Sequence, residues 1–224
     1  MLTYTLPNNT PPRSYANFLD DLAGTGRARI GLYCGSFNPI HNAHTALCSY
    51  LLEKEDLQKI LLVVSPRNPF KRQSELMNDD LRLTLARLAV EDTPGIEVSD
   101  VEMQLPRPSY TINTILKLKQ MYSDKDFVLI MGADNIGRFD HWKDYGRILS
   151  ETAGIIAFRR PGYENANSPF PQIRIVDNPL MDVSSTEIRR KLRDGVQVSG
   201  LVCPKVEKYL TGLIGENGYE SLFK

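Results

Sequence analysis

The chain of 224 residues has little histidine, little cysteine and no excess of charge of either sign. It contains three histidines, three cysteines and one tryptophan, and 27 lysines and arginines balance 27 aspartates and glutamates. Because the net charge is zero, the chain lacks the overall positive potential that attracts nucleic acid. We therefore expect any phosphate group to be bound by a local site. No window approaches the roughly 18 apolar residues of a membrane span, which predicts that no membrane is a partner.

The cysteines are too few and too far apart for a disulfide framework or a zinc centre. Cys34, Cys48 and Cys203 lack the CxxC spacing of zinc and redox sites. We therefore expect reduced thiols and a cytoplasmic protein. Residues 1–28 lack the continuous apolar stretch of a signal peptide. We interpret them as an N-terminal extension, partly ordered or disordered, before a single domain at 29–224.

Short apolar runs alternate with helical patterns along the rest of the chain. Runs rich in Ile, Val and Leu predict strands covered on both faces, at 29–34, 59–65, 126–132, 152–160 and 172–177. Apolar residues at helical spacing predict helices at 43–55, 78–92 and 110–122, with Asn78 as a candidate N-cap. This alternation predicts an α/β fold with a doubly wound, Rossmann-like parallel sheet. Ligands of such sheets bind beyond the carboxyl ends of the strands.

Two of the three histidines lie in one loop, GSFNPIHNAH at 35–44, directly after the first predicted strand. Gly35 and Ser36 allow a tight turn, and the helix that follows presents free amides and its positive dipole end to an anion. The loop is neither a P-loop nor a GxGxxG fingerprint. His41 and His44 beside these amides can donate hydrogen bonds to a polyphosphate. Capping or surface histidines would give the same pattern.

A second candidate phosphate site is VSSTEIRRKL at 183–192. Ser184 or Ser185 can cap a helix and leave hydroxyls and amides facing a phosphate. Arg189 follows one turn later, where its guanidinium can grip phosphate oxygens. Ser-Ser-Thr-Glu is also an ordinary capping box, but together with the upstream histidines it favours phosphate binding.

Two other segments follow predicted strands. Asp134 comes after the strand that ends in Gly132, where its carboxylate could meet a ribose or a metal-bound phosphate, or cap the next helix. Arg67, Lys71 and Arg72 follow the second strand. They form either a solvated basic turn or a loop that recognises a phosphate.

Both phosphate motifs resemble signatures of the nucleotidylyltransferase superfamily. GSFNPIHNAH is similar to its (H/T)xGH signature, and VSSTEIRRKL is similar to its late (I/V)SSTxIR motif. Within the superfamily, four further segments resemble the bacterial nicotinate-nucleotide adenylyltransferases: GADNIGRFDHWKDYGRIL (132–149), SPRNPFK (65–71), RPSYTINTI (107–115) and RRPGY (159–163). The resemblance runs from about residue 29 to residue 210 and does not cover the first 28 residues.

The resemblance implies that ATP and nicotinate mononucleotide are the partners, that Mg2+ is the cofactor, and that nicotinate adenine dinucleotide and pyrophosphate are the products, in NAD biosynthesis. It assigns catalysis to His41, His44 and Arg189. The residues it implies for ATP are Gly35, Ser36, Phe37, His41, His44, Gly132, Asp134, Ser184, Ser185 and Arg189, with Asp134 also the candidate for the metal. Those it implies for the mononucleotide are Asn38, Lys71, Tyr110, Thr111 and Trp142, with the tryptophan stacking on the pyridine ring.

Ala43 departs from the superfamily pattern, which has Gly between the histidines. The added Cβ could crowd the nucleotide or, in an ordinary helix, only raise helix propensity. Two alternatives therefore stay open: adenylyl or cytidylyl transfer to another phosphate acceptor, such as nicotinamide mononucleotide or phosphopantetheine, and a nucleotide-binding sensor without chemistry. We assign Arg160 no specific contact, and an assembly of identical subunits is left open.

Overall fold

A six-stranded parallel sheet organises the part of the chain that the computed structural model describes, residues 26–66 and 76–223. Its strands are β1 (Ala28–Gly35), β2 (Lys59–Val64), β3 (Ile96–Ser99), β4 (Lys125–Gly132), β5 (Ile155–Phe158) and β6 (Ile173–Val176). Their order across the sheet is β3-β2-β1-β4-β5-β6. The chain builds outward from β1 to β3 and then returns to the centre, where β4 pairs with β1. This confirms the predicted doubly wound, Rossmann-like sheet.

Helices cover both faces of this sheet. They are α1 (Asn42–Lys54), α2 (Asp79–Val90), α3 (Thr111–Met121), α4 (Tyr145–Glu151), α5 (Ser185–Arg193) and α6 (Pro204–Asn217). Short 3-10 helices span Val101–Gln104, Ala133–His141 and Tyr219–Phe223. Helices α1, α2, α5 and α6 share one apolar core with one face of the sheet, and α3 and α4 share another core with the opposite face. Burial on both faces explains why the strands are near-continuous apolar runs.

Two strands depart clearly from the predictions, and helices α4 and α6 were not predicted from the sequence. β3 was missed because IEVS has four residues, of which only Ile96 is fully buried. β5 covers 155–158 instead of 152–160. The strand begins later than predicted because the N–H of Thr152 still donates to the carbonyl of Ile148 at the end of α4. Asn78 does cap α2, since its Oδ1 accepts hydrogen bonds from two main-chain N–H groups at 2.8 and 3.4 Å.

Some predictions fall on parts of the chain outside the described residues. These are the extension before residue 26 and the basic residues Arg67, Lys71 and Arg72. The boundary at residue 28 also stays a prediction, although β1 begins at Ala28. Across 26–66 and 76–223, no helix has both the length and the apolarity to span a bilayer.

Candidate active site

A cavity of about 980 Å³ opens at the carboxyl ends of the strands. It lies where β1 and β4 pair in the middle of the sheet, and loops following both strands line it. A second hollow of about 440 Å³ adjoins it, since His41, His44, Asp134 and Arg160 line both. Every predicted site residue that the structure describes lines the larger cavity.

The loop from Gly35 to His41 turns sharply under this cavity. Phe37 has a left-handed backbone with φ of 43°. Its ring stands edge-on to Tyr33 and to His44, with ring centroids 5.4 and 5.0 Å apart. A Cβ at Gly35 would lie 3.0 Å from the tip of the Phe37 ring, so any larger residue there would have to displace this ring. A strained residue held by its surroundings is typical of a functional loop.

The two histidines form a stacked pair at the start of α1. Their ring centroids are 3.7 Å apart, and the rings are inclined by 27°. The N–H of His41 donates to His44 Nδ1 at 3.2 Å, and the N–H of His44 donates to the carbonyl of His41 at 2.9 Å. Because Nδ1 of His44 is an acceptor, the neutral ring carries its proton on Nε2. The cap therefore fixes both the orientation and the tautomer of His44.

His41 is a buried, neutral imidazole. Burial, followed by the charge of Arg160, lowers the pKa of His41 to about 4. His41 Nδ1 and Ser36 Oγ are both buried and have no hydrogen-bond partner among the described residues. Buried polar atoms in proteins are nearly always hydrogen-bonded, so these two atoms mark a place for a polar ligand in the loop.

The second phosphate motif meets this loop directly. Ser184 caps α5, where its Oγ accepts from the N–H of Glu187 at 3.1 Å. Ser185 does not cap the helix, since its Oγ donates to the carbonyl of Pro39 at 3.0 Å. Arg189 Nη1 donates to the carbonyl of Asn38 at 2.9 Å. The starts of α1 and α5, far apart in the chain, therefore face one cavity as a single unit.

Asp134 lies opposite, just after β4. It does not cap the following 3-10 helix, whose N-cap is Gly132 and receives no side-chain hydrogen bond. Its carboxylate instead pairs with Arg160 Nη1 at 3.3 and 3.4 Å. The sequence left Arg160 without an assigned contact, because its partner Asp134 is 26 positions away in the chain. A Cβ at Gly132 would come within 2.2 Å of Asp134 Oδ1, so the Asp134–Arg160 pair packs directly against the backbone at the end of β4.

Four of the predicted mononucleotide residues also line the cavity: Asn38, Tyr110, Thr111 and Trp142. Trp142 is half-buried and packs against Phe139 with ring centroids 5.5 Å apart. Tyr110 is the N-cap residue of α3, and Thr111 is the first residue of that helix. Asn38 lines the cavity as well, but its Oδ1 accepts the N–H of Met77 at 2.9 Å, which gives this amide a structural contact that sequence reasoning missed.

Two further lining residues escaped sequence reasoning. Lys143 Nζ lies 4.5 Å from the centroid of the Tyr110 ring, and its position next to the only tryptophan was the available signal. Glu102 is buried and accepts a hydrogen bond from Thr114 Oγ1 at 2.7 Å. Burial, and then the charge of Glu102, raises the pKa of the Cys34 thiol well above its usual range. The Cys34 thiol is therefore protonated at neutral pH.

Ala43 lies in the first turn of α1 and lines the smaller hollow. The helix begins at Asn42 in an ordinary right-handed conformation, which alanine favours over glycine. The departure from the superfamily pattern therefore costs nothing in backbone conformation.

The fold and the meeting of two phosphate motifs at one sheet edge define the class of protein. Residues 32–191 match the family model described as cytidylyltransferase-like. This match covers most of the sheet and both motifs, from β1 to α5.

Relatives narrow the class further. A nicotinate-nucleotide adenylyltransferase of Bacteroides fragilis is 44% identical over 183 residues, which cover 81% of this chain and 90% of the relative. One from Bacteroides thetaiotaomicron is 41% identical over 197 residues, which cover 88% of this chain and 97% of the relative. The chain therefore belongs to the family of nicotinate-nucleotide adenylyltransferases.

Solved structures share the fold at low identity. A Plasmodium falciparum nicotinic acid mononucleotide adenylyltransferase complexed with NaAD covers 88% of this chain and 100% of its own, with a TM-score of 0.68 at 18% identity. A structure of that protein complexed with APC has a TM-score of 0.66 at 18% identity.

Proposed function

We propose that this chain transfers the adenylyl group of ATP to nicotinate mononucleotide, forming nicotinate adenine dinucleotide and pyrophosphate. The observation that carries the proposal is the direct contact between the two phosphate motifs, through Ser185 and Arg189, at the edge of the central strands. The names of the relatives support the same reaction.

The reaction is a direct displacement at the α-phosphorus of ATP. A phosphate oxygen of the mononucleotide attacks this phosphorus, and the bond to the bridging oxygen of the β-phosphate breaks, so that pyrophosphate leaves. The attacking oxygen is already anionic, so the site needs no strong base. Its work is alignment of the two phosphates and neutralisation of the charge on the leaving group.

The described residues supply donors for that charge. The loop offers Ser36 Oγ and His41 Nδ1, and the starts of α1 and α5 add main-chain amides and positive dipole ends. His41 acts as a neutral hydrogen-bond donor, because a pKa near 4 leaves its imidazole uncharged at neutral pH with one N–H. We assign His44 Nε2 and the Arg189 guanidinium to the same phosphates.

Asp134 would hold Mg2+ that arrives with ATP. No group of three or more His, Cys, Asp or Glu side chains within the described ranges could hold a metal ion alone. Mg2+ in phosphate-transfer sites needs only one or two carboxylates, because substrate phosphates and waters complete its shell. The Asp134 carboxylate at the cavity therefore fits the ion, which would add charge neutralisation at the phosphates.

Trp142, Lys143 and Tyr110, which all line the cavity, suit a pyridine ring that bears a carboxylate. Trp142 offers an aromatic face for stacking, and Lys143 places an ammonium group beside Tyr110. Among the described residues, no carboxylate lies within 4.0 Å of Lys143 Nζ. A nicotinate carboxylate would gain an ion pair there, whereas a nicotinamide would gain none.

The proposal is tested by product analysis with purified protein, ATP, Mg2+ and nicotinate mononucleotide. We expect nicotinate adenine dinucleotide and pyrophosphate in equal amounts. His44→Ala should lower kcat by about a hundredfold or more while the melting temperature stays close to the wild type. His141→Ala is the matched control, since that histidine side chain is 76% exposed at the cavity rim. ATP binding without pyrophosphate release would contradict the proposal and favour a sensor.

A further inference from the structure

Arg82 is a fully buried cation that the reaction described above does not use. It lies on α2 between Leu81 and Leu83, and its exposed fraction is 0%. A buried charge is costly unless it is paired and hydrogen-bonded, so its contacts indicate its function.

Five hydrogen bonds match the five N–H donors of this guanidinium. Arg82 Nη1 donates to the carbonyls of Ser36 at 2.6 Å and Ser65 at 2.8 Å. Arg82 Nη2 donates to the carbonyl of Pro66 at 3.3 Å and to Asp79 Oδ1 at 2.5 Å. Arg82 Nε donates to the carbonyl of Met77 at 3.0 Å. One side chain thus joins the phosphate loop, the end of β2 and the start of α2.

Further hydrogen bonds link Arg82, through Met77, to the other side of the phosphate loop. Met77, whose carbonyl accepts from Arg82, donates its own N–H to Asn38 Oδ1 at 2.9 Å. The carbonyl of Asn38 in turn accepts from Arg189 at 2.9 Å. Phe37, with its left-handed φ of 43°, therefore lies between two residues whose main chains are held by arginines. A strained conformation persists only where the surroundings determine it in this way.

We propose that Arg82 is the positioning residue of the phosphate loop. It acts through the carbonyl of Ser36 to hold this loop against the loop after β2, and so sets where the ATP phosphates lie. The consequence for adenylyl transfer rests on the proposed function. Lysine cannot replace it, because a tetrahedral ammonium has three donors and lacks the planar fork that reaches carbonyls on both sides.

The test compares Arg82→Lys with Arg29→Lys. Arg29 is a matched control because its side chain is only 11% exposed and pairs with Asp56 at the opposite end of β1. Both variants should melt at lower temperature than the wild type. Only Arg82→Lys should bind Mg-ATP about tenfold more weakly by calorimetry and lose about a hundredfold in kcat/KM, as expected when reacting groups are misplaced by about 1 Å. Wild-type affinity and kcat/KM per folded molecule in Arg82→Lys would overturn the proposal.

A milder variant decides the matter if Arg82→Lys does not fold. Asp79→Asn removes the charge that pairs with Arg82 Nη2 and, through its second oxygen, with Arg107 Nη2 at 2.9 Å, while Arg82 stays in place. Arg107→Met, which loses only the second pair, is the control. In Asp79→Asn we expect a loss of about threefold to tenfold in ATP affinity, in the same direction, because a charge-assisted hydrogen bond becomes a neutral one. Unchanged ATP affinity would overturn the proposal. ATP binding is measured without an acceptor. If the wild type does not use nicotinate mononucleotide, that result refutes the proposed function and leaves the proposal for Arg82 to be decided by ATP affinity.

Discussion

The protonation of His41 links the stability of the fold to pH. Its pKa in the folded chain is about 4, compared with an ordinary value of 6.5. Between these values the unfolded chain binds more protons, so stability falls as the pH falls from 6.5 to 4. The full effect is about 3 kcal/mol in the free energy of unfolding. Below pH 4 this histidine contributes no further change.

Urea unfolding of the wild type and of His41→Asn, at intervals from pH 4 to 8, measures this contribution. Asparagine keeps an N-cap side chain but does not titrate. We expect the unfolding free energy of the wild type, minus that of His41→Asn, to decrease as the pH falls from 6.5 to 4, because only the wild type binds the extra proton on unfolding. A constant difference from pH 8 to 4 would contradict the assigned pKa of His41.

Lys143 is expected to select the acid over the amide. Removing its ammonium in Lys143→Met should lower the ratio of kcat/KM for nicotinate mononucleotide to that for nicotinamide mononucleotide by about tenfold, because a hydrogen bond to a charged group contributes about 1.5 kcal/mol or more. Lys208→Met, an exposed position on α6, is the control. An unchanged ratio in Lys143→Met would remove Lys143 from acceptor recognition.

At the scale of elements, the junction of β4 and the 3-10 helix Ala133–His141 offers a test of the Asp134–Arg160 pair. Gly132 has φ of −70°, so its backbone suits alanine, and the conflict is one of space alone. A Cβ there would lie 2.2 Å from Asp134 Oδ1 and 2.9 Å from Arg160 Cδ. Gly132→Ala must displace the pair, and we expect kcat/KM to fall by about tenfold.

Gly137→Ala is the matched control in the same helix, because a Cβ at Gly137 meets no atom within 4 Å. Steady-state kinetics and melting curves of both variants separate a local effect on the site from a general effect on the helix. Equal kcat/KM values for the two variants would show that the Asp134–Arg160 arrangement is immaterial to turnover.

The elements that could be predicted from the sequence are the strands buried on both faces and the helices with a clear apolar face. The long apolar runs of β1, β2 and β4 and the spacing of α1, α2 and α3 are strong local signals. β3 carries no such signal, since IEVS has only two apolar residues and only Ile96 among them is buried. The Asp134–Arg160 pair and the five contacts of Arg82 depend on tertiary structure, so no local pattern reveals them.

At the scale of the whole molecule, the sheet order brings the two phosphate motifs together. Ser185 and Pro39 are 146 positions apart, yet the doubly wound topology places them in hydrogen-bond contact. The sequence contained both motifs, and a parallel sheet implied a shared edge, so their meeting was predictable. The individual contacts, such as Ser185 with the carbonyl of Pro39, were not predictable, because they depend on how α5 packs against the phosphate loop.

The measurement that tests the central claim most directly is the initial rate of pyrophosphate release with ATP and Mg2+ and, in turn, nicotinate mononucleotide, nicotinamide mononucleotide and phosphopantetheine. The proposed function predicts rapid release with nicotinate mononucleotide and a much lower kcat/KM with the other two acceptors. Faster release with either of those acceptors, or no release with any of them by protein that binds ATP, would contradict it.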